Sequence, residues 1–112
     1  MRPDARALLW DARRASDLIF DFVHEQTFAD YLADAKLRSA VERQFEIVGE
    51  ALNRLSRVDP ETAETIPDLP RIVAFRNVLA HGYAVIDDAL VWQVATDRLS
   101  ELQTTLGQLL DD

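Results

Sequence analysis

The chain has 112 residues, 48% of them hydrophobic. That is enough for one domain with one core, 1–112, and too apolar for a disordered segment. It has no cysteine, which excludes disulfides and thiolate metal sites, and a net charge of −8, which argues against nonspecific binding to nucleic acid. No apolar run approaches the length of a membrane span, so no membrane partner is expected. The opening Met1-Arg2-Pro3-Asp4 leads into an amphipathic pattern rather than a signal-peptide core, and the expected location is the cytoplasm.

Taken in order, the first element is a long helix capped by Asp4. Ala5, Leu8, Ala12, Ala15, Ile19 and Phe22 recur at helical spacing, and the pattern ends near Glu25 or Gln26. Trp10 and Phe20 fall off that stripe and suggest a second apolar face. His24, near the end, reads as a surface residue favoured by the negative end of the helix. A connection from Thr27 to Asp34 follows, with a capping pattern at Thr27 and Asp30.

The second long helix is expected from about Asp34 to Leu55. Leu37, Val41, Phe45, Val48, Leu52 and Leu55 give its stripe. Ala40, Gly49 and Ala51 are small enough to let another helix approach. Most of the charged residues here read as a solvated face with ion pairs four apart. Glu50 stands apart, because a carboxylate there could reach an arginine on a neighbouring helix. Ser56 to Pro70 is the longest unpatterned stretch. Its prolines discourage a continuing helix, although Asp59-Pro60-Glu61-Thr62 has the form of a helix start.

Arg76-Asn77-Val78-Leu79-Ala80-His81-Gly82-Tyr83 is the most informative stretch. Ile72, Phe75 and Leu79 give it a helical stripe, and Arg76 lies beside that stripe. Asn77 and His81 are four apart and share a side. Gly82 permits a positive φ at which the helix stops, with Tyr83 just beyond. As residues alone these carry two readings. His81 serves equally as a partner of the helix dipole, and Arg76 as an arginine with its head in water. The clustering of a cation, an amide, an imidazole and a phenol supports a site. After it, Asp87 or Asp88 starts a last helix with Trp92, Ala95, Leu99, Leu102, Leu106 and Leu109 as its stripe, running to about Leu110. The expected fold is all-α: an up-and-down four-helix bundle, with a proline-bearing loop and a short motif helix between the second and last long helices.

Charge is unevenly spread. Lys36 to Arg76 holds seven basic and seven acidic residues, whereas beyond Arg76 only Arg98 stands against six acidic ones. A polyanion is therefore expected near Arg76 and away from the last helix, while the acidic surface suits a basic protein partner.

The string RNVLAHGY resembles the Arg-x4-His-x-Tyr signature of HEPN-domain toxins of the HepT type. Glu46-Ile47-Val48-Gly49-Glu50-Ala51 is similar to the second helix of that family, and the order of elements agrees across nearly the whole chain. The resemblance implies a metal-independent endoribonuclease, without cofactor. This would be the toxin of a type VII-like toxin–antitoxin pair, with a nucleotidyltransferase antitoxin of the MntA type as partner. It implies Arg76 and His81 as the catalytic pair, Asn77 as a residue that helps to position them, and Tyr83 as the tyrosine that such antitoxins adenylate.

Elementary chemistry is compatible with this. Cutting RNA without a metal uses the 2′-hydroxyl as nucleophile and needs a base, an acid and a cation for the phosphorane charge. One chain offers a single histidine in the cluster, so the mechanism predicts a homodimer that brings two Arg76 and two His81 into one cleft. Two other readings stay open: a non-catalytic nucleotide- or substrate-binding subunit of a nucleotidyltransferase complex, and a plain helical interaction module. A metal hydrolase is disfavoured, because two distant histidines and scattered carboxylates do not make a ligand set.

Overall fold

The computed structural model of the protein describes residues 1–81 and 85–111. Among them every regular element is a helix: α1 (Pro3–Val23), α2 (Phe28–Ala33), α3 (Ala35–Val58), α4 (Pro60–Glu64), α5 (Leu69–His81), α6 (Asp88–Gln93) and α7 (Leu99–Asp111). A single π-helical segment, Val94–Arg98, joins the last two into one continuous rod. The long helices α1, α3 and α6–α7, with the shorter α5, make the expected all-α bundle. The anticipated helix stop at Gly82 and the place of Tyr83 lie outside the described residues.

Local chemistry explains most of the boundaries. Thr27 and Asp30 form a reciprocal capping box at the start of α2, each side chain accepting from the other's backbone N–H at 3.1 and 2.9 Å. Asp34, Asp59 and Asp87 cap α3, α4 and α6 in the same manner, accepting from Leu37, Thr62 and Leu90. Asp4 does not cap α1. Pro3 occupies the first helical position, so Arg2 is the capping residue, and Asp4 lies in the first turn, pairing with Arg2 at 3.0 Å. There a carboxylate still favours the positive helix end. α1 stops at Val23, and Glu25 just beyond adopts φ 62°, a left-handed conformation that turns the chain away.

The core is built by α1, α3 and the C-terminal rod. Arg2 donates to the Val58 carbonyl (3.1 Å) and Arg6 to the Leu110 carbonyl (2.8 Å), so the start of α1 meets the ends of both α3 and α7. α1 is therefore antiparallel to each. Leu9, Ile19, Val41, Leu52, Leu55 and Leu106 are fully sealed between them, each stabilising the fold by roughly 1.5–3 kcal/mol. The buried line of α1 runs through Leu9, Ser16 and Val23, whereas Leu8 and Phe22 are only half-covered. Ala5, Ala12, Ala15 and Ile19 of the expected stripe are buried as well, and Ser16 joins them with its hydroxyl donating to the Ala12 carbonyl at 2.8 Å. Trp10 and Phe20 stand 56% and 48% exposed, as a second apolar face requires. His24 is exposed and stacks on Phe20.

In the last rod, Val91, Ala95, Leu99, Leu106 and Leu110 are the buried positions. Trp92, Leu102 and Leu109 are half-covered. The π segment shifts the phase of the stripe between its two halves. Trp92 leans on Tyr31, the one fully buried residue of α2. Burial pushes the Tyr31 phenol well above its ordinary value, and the carboxylates of Glu42 and Asp88 push it the same way.

Candidate active site

α5 is held mainly by α3, and the contact is made close by one glycine. Gly49 is buried in the middle of α3, directly beneath Arg76 of α5. A methyl at position 49 would collide with the Arg76 Cβ, would lie 2.6 Å from its Cγ, and would press on the Ile72 carbonyl at 3.4 Å. A glycine inside a helix costs about 1 kcal/mol relative to alanine. The close approach of the two backbones is the reason for it here. One turn earlier on α3, Phe45 meets Phe75 edge to face, with centroids 5.2 Å apart.

Arg76 is thereby laid along α3 with 27% of its side chain exposed. Its Nη1 donates to the Asn77 carboxamide oxygen at 3.0 Å, and its Nη2 to the Glu50 carboxylate at 3.4 Å. Glu50 thus does reach an arginine of the neighbouring helix. The Arg76 Nε–H is buried and meets no acceptor among the described residues, a state that costs on the order of 1–3 kcal/mol. Each Nη carries a second hydrogen, so the exposed edge of the guanidinium can still meet an anion while Asn77 and Glu50 hold it.

His81 is the last residue of α5 and is exposed, as is Asn77 one turn before it. Five residues of helix turn His81 about 140° from Arg76. The two side chains therefore leave the helix in different directions: Arg76 towards α3, Asn77 and His81 outward. Arg76 and Asn77 are brought together within one subunit. Tyr83 lies outside the described residues. Among those residues, no group of three or more His, Cys, Asp or Glu comes together as a metal ligand set, and no helix is long and apolar enough to cross a membrane.

Sequence patterning missed the other side of α5. Between it and the C-terminal rod runs an open groove of about 470 Å³, floored by Phe45 and Val48 and walled by Phe75, Val78, Leu90 and Leu102. Arg71 and Arg98 stand on it as well. The available signal was the spread of apolar residues around α5. Ile72, Val73, Ala74, Phe75, Val78 and Leu79 cover almost its whole circumference, more than a single neighbouring helix can bury.

Comparison with known proteins settles the family. The model of the HepT-like family, described as "Ribonuclease HepT-like", matches residues 12–109. The chain belongs to the HepT-like ribonuclease family. Among similar members is the "Probable ribonuclease HepT" of Thermococcus cleftensis, 29% identical over 111 residues, which cover 97% of this chain and 98% of that one. Another is "Putative RNase MJ0127" of Methanocaldococcus jannaschii, 26% identical over 113 residues, covering 99% and 91%. A second relative from Methanocaldococcus jannaschii, "Gamma-glutamylcyclotransferase and putative RNase MJ0434", carries the matching region in half of its length, at 26% identity. No solved structure matches the chain.

Proposed function

We propose that this member of the family is a metal-independent endoribonuclease whose active site is completed by two subunits. It would act as the toxin of a type VII-like toxin–antitoxin pair. The observation that carries this reading is the arrangement of α5: a guanidinium fixed by Asn77 and Glu50, followed five residues later by an exposed imidazole at the helix end.

The chemistry follows from those groups. A base takes the proton of a ribose 2′-hydroxyl, whose oxygen attacks the adjacent phosphorus. The 5′-oxygen leaves with a proton from an acid, and a cyclic phosphate remains. Histidine suits both proton transfers near neutral pH. Arginine keeps its charge and offers paired donors to the phosphorane oxygens. One subunit has one histidine here, so two subunits supply the base and the acid separately. Within one chain, Arg76 and His81 leave α5 in different directions. A second α5 facing the first lets the arginine of one chain and the histidine of the other address the same phosphate. The apolar face of α5, where Val78 is 54% exposed, supports such pairing by leaving surface for a second copy to cover.

Control by the partner fits the same place. A nucleotidyltransferase antitoxin of the MntA type would adenylate Tyr83, adding bulk and negative charge two residues from His81. Both oppose entry of an RNA phosphate. The seven-to-seven charge balance of residues 36–76, against the acidic C-terminal part, supports approach of RNA from the Arg76 side.

The test is cleavage of single-stranded RNA by the purified protein in excess chelator. Arg76→Ala and His81→Ala are each expected to reduce the rate by about 100-fold or more, with melting temperatures close to that of the parent. Binding of the nucleotidyltransferase with RNA left intact would favour the non-catalytic subunit instead. Activity equal to the parent's in both variants would remove these residues from the reaction.

A further inference from the structure

We propose that Gly49 is a positioning residue for Arg76: the bare backbone at this point of α3 sets the depth at which α5 rests, and with it the place of the guanidinium. The consequence for catalysis rests on the ribonuclease reading; the geometric claim does not. Three observations converge on it.

The first is the nature of the atoms in contact. The hydrogen that stands for a side chain at Gly49 faces the Arg76 Cβ and Cγ and the Ile72 carbonyl. These belong to the root of a side chain and to backbone, so they cannot swing away as the tip of a lysine would. A methyl at position 49 can be received only if α5 lifts or slides as a body. The second is that α5 leans mainly on α3 and has the open groove at its other side. Nothing comparable on that side resists the displacement. The third is that one of the two hydrogen-bond partners of the guanidinium depends on the same spacing and the other does not. Glu50, the residue after the glycine, receives Nη2 at 3.4 Å, near the outer limit of a hydrogen bond, so a small retreat of α5 breaks it. Asn77 receives Nη1 at 3.0 Å from α5 itself and would travel with the arginine. Gly49 thus fixes Arg76 relative to α3, while Asn77 fixes it relative to α5.

The experiment uses the full chain as the parent, Gly49→Ala, Glu50→Gln, the double variant of these two, and Gly49→Ala/Arg76→Gly. Gly49→Ala is expected to lower kcat for RNA cleavage by about 100-fold, the scale of an ångström-level misplacement, with KM nearly unchanged. Glu50→Gln is expected to lower kcat in the parent and to add nothing in the Gly49→Ala background, because the contact is already broken. In 15N-labelled protein the Arg76 Nε–H signal, identified by its absence in Arg76→Lys, is expected to exchange slowly with water in the parent, since the atom is buried. It is expected to move and exchange faster in Gly49→Ala. If Gly49→Ala melts too low for assay, the Arg76→Gly second change removes the Cβ it strikes and is expected to raise the melting temperature back towards the parent's.

An unchanged kcat in Gly49→Ala, an Nε–H signal that stays in place, or a Gly49→Ala/Arg76→Gly protein no more stable than Gly49→Ala would each overturn the assignment. A parent protein that leaves RNA intact would sink the ribonuclease reading alone. In that case the Nε–H signal and the melting comparison still decide whether Gly49 places Arg76.

Discussion

The α1–α3 pair and the α5 helix use similar residues to different ends. On α1 and α3, large aliphatics fall on one line each, and Leu9, Ile19, Val41, Leu52 and Leu55 have no exposed surface. On α5, apolar residues surround the axis, yet only Leu69 and Leu79 of thirteen residues are buried. Apolar content is therefore a poor guide to burial, and the direction of the residues decides. The pair supplies the cohesion of the fold. α5 is fastened along one side by a glycine contact and an aromatic pair, and its other side stays open to a groove. Arg76, Asn77 and His81 are carried by a helix with few buried residues for its length, and such elements can tolerate low local stability.

The contrast can be broken most sharply at its stable end. Leu52 of α3 is fully buried in the core. Leu52→Ala should cost about 2–5 kcal/mol, a large part of the stability of a domain this size. Urea titration followed by circular dichroism is the measurement. A loss under about 1 kcal/mol would show that the neighbours collapse into the space left by the side chain and that Leu52 contributes little to cohesion.

At the open end the expectation reverses. Val78 is 54% exposed on the groove side of α5, so Val78→Glu should alter the stability of a single subunit by no more than about 0.5 kcal/mol. It should nevertheless convert a dimer to a monomer in light scattering and remove RNA cleavage with it, because a carboxylate would be buried on pairing. A dimer that persists unchanged would place the subunit contact elsewhere, for instance on the Trp10 and Phe20 face of α1.

The two regions were also unequally legible in the sequence. The stripe of α3 was readable because Val41, Phe45, Val48, Leu52 and Leu55 keep one period, and the aspartate and threonine caps announce their helices locally. On α1 the stripe is legible at Ala5, Ala12, Ala15 and Ile19 but not at Ser16, since a buried serine looks polar until its hydroxyl is satisfied within its own helix. The phase shift of the last rod could not be foreseen, because a π turn has no residue signature comparable to a cap. At the candidate site, Arg76, Asn77 and His81 stand out by their types and spacing, and Glu50 by its place on the facing helix. The closeness at Gly49 was only hinted at by its size. The groove depends on where the chain leaves α5 uncovered, which no local pattern encodes.

The smallest effect separates charge from packing within the well-built half. Glu42 of α3 is half-buried, and burial raises its carboxyl above the ordinary value of 4.5. Asp88, at the start of α6, and Glu46 push it up too, while Arg38 opposes them. The folded state therefore binds this proton more tightly than the unfolded chain does. Well below pH 4.5 both states are protonated and nothing is lost. As pH rises through 4.5 the unfolded chain ionises first, so stability falls until the raised folded value is passed, and it stays lower above that. Glu42→Gln removes the titration at nearly constant shape. It should raise the melting temperature at pH 7 and leave it almost unchanged at pH 4, measured by circular dichroism at both. An equal gain at the two pH values would assign the effect to side-chain packing against α2 and α6, since only the ionised carboxylate distinguishes them.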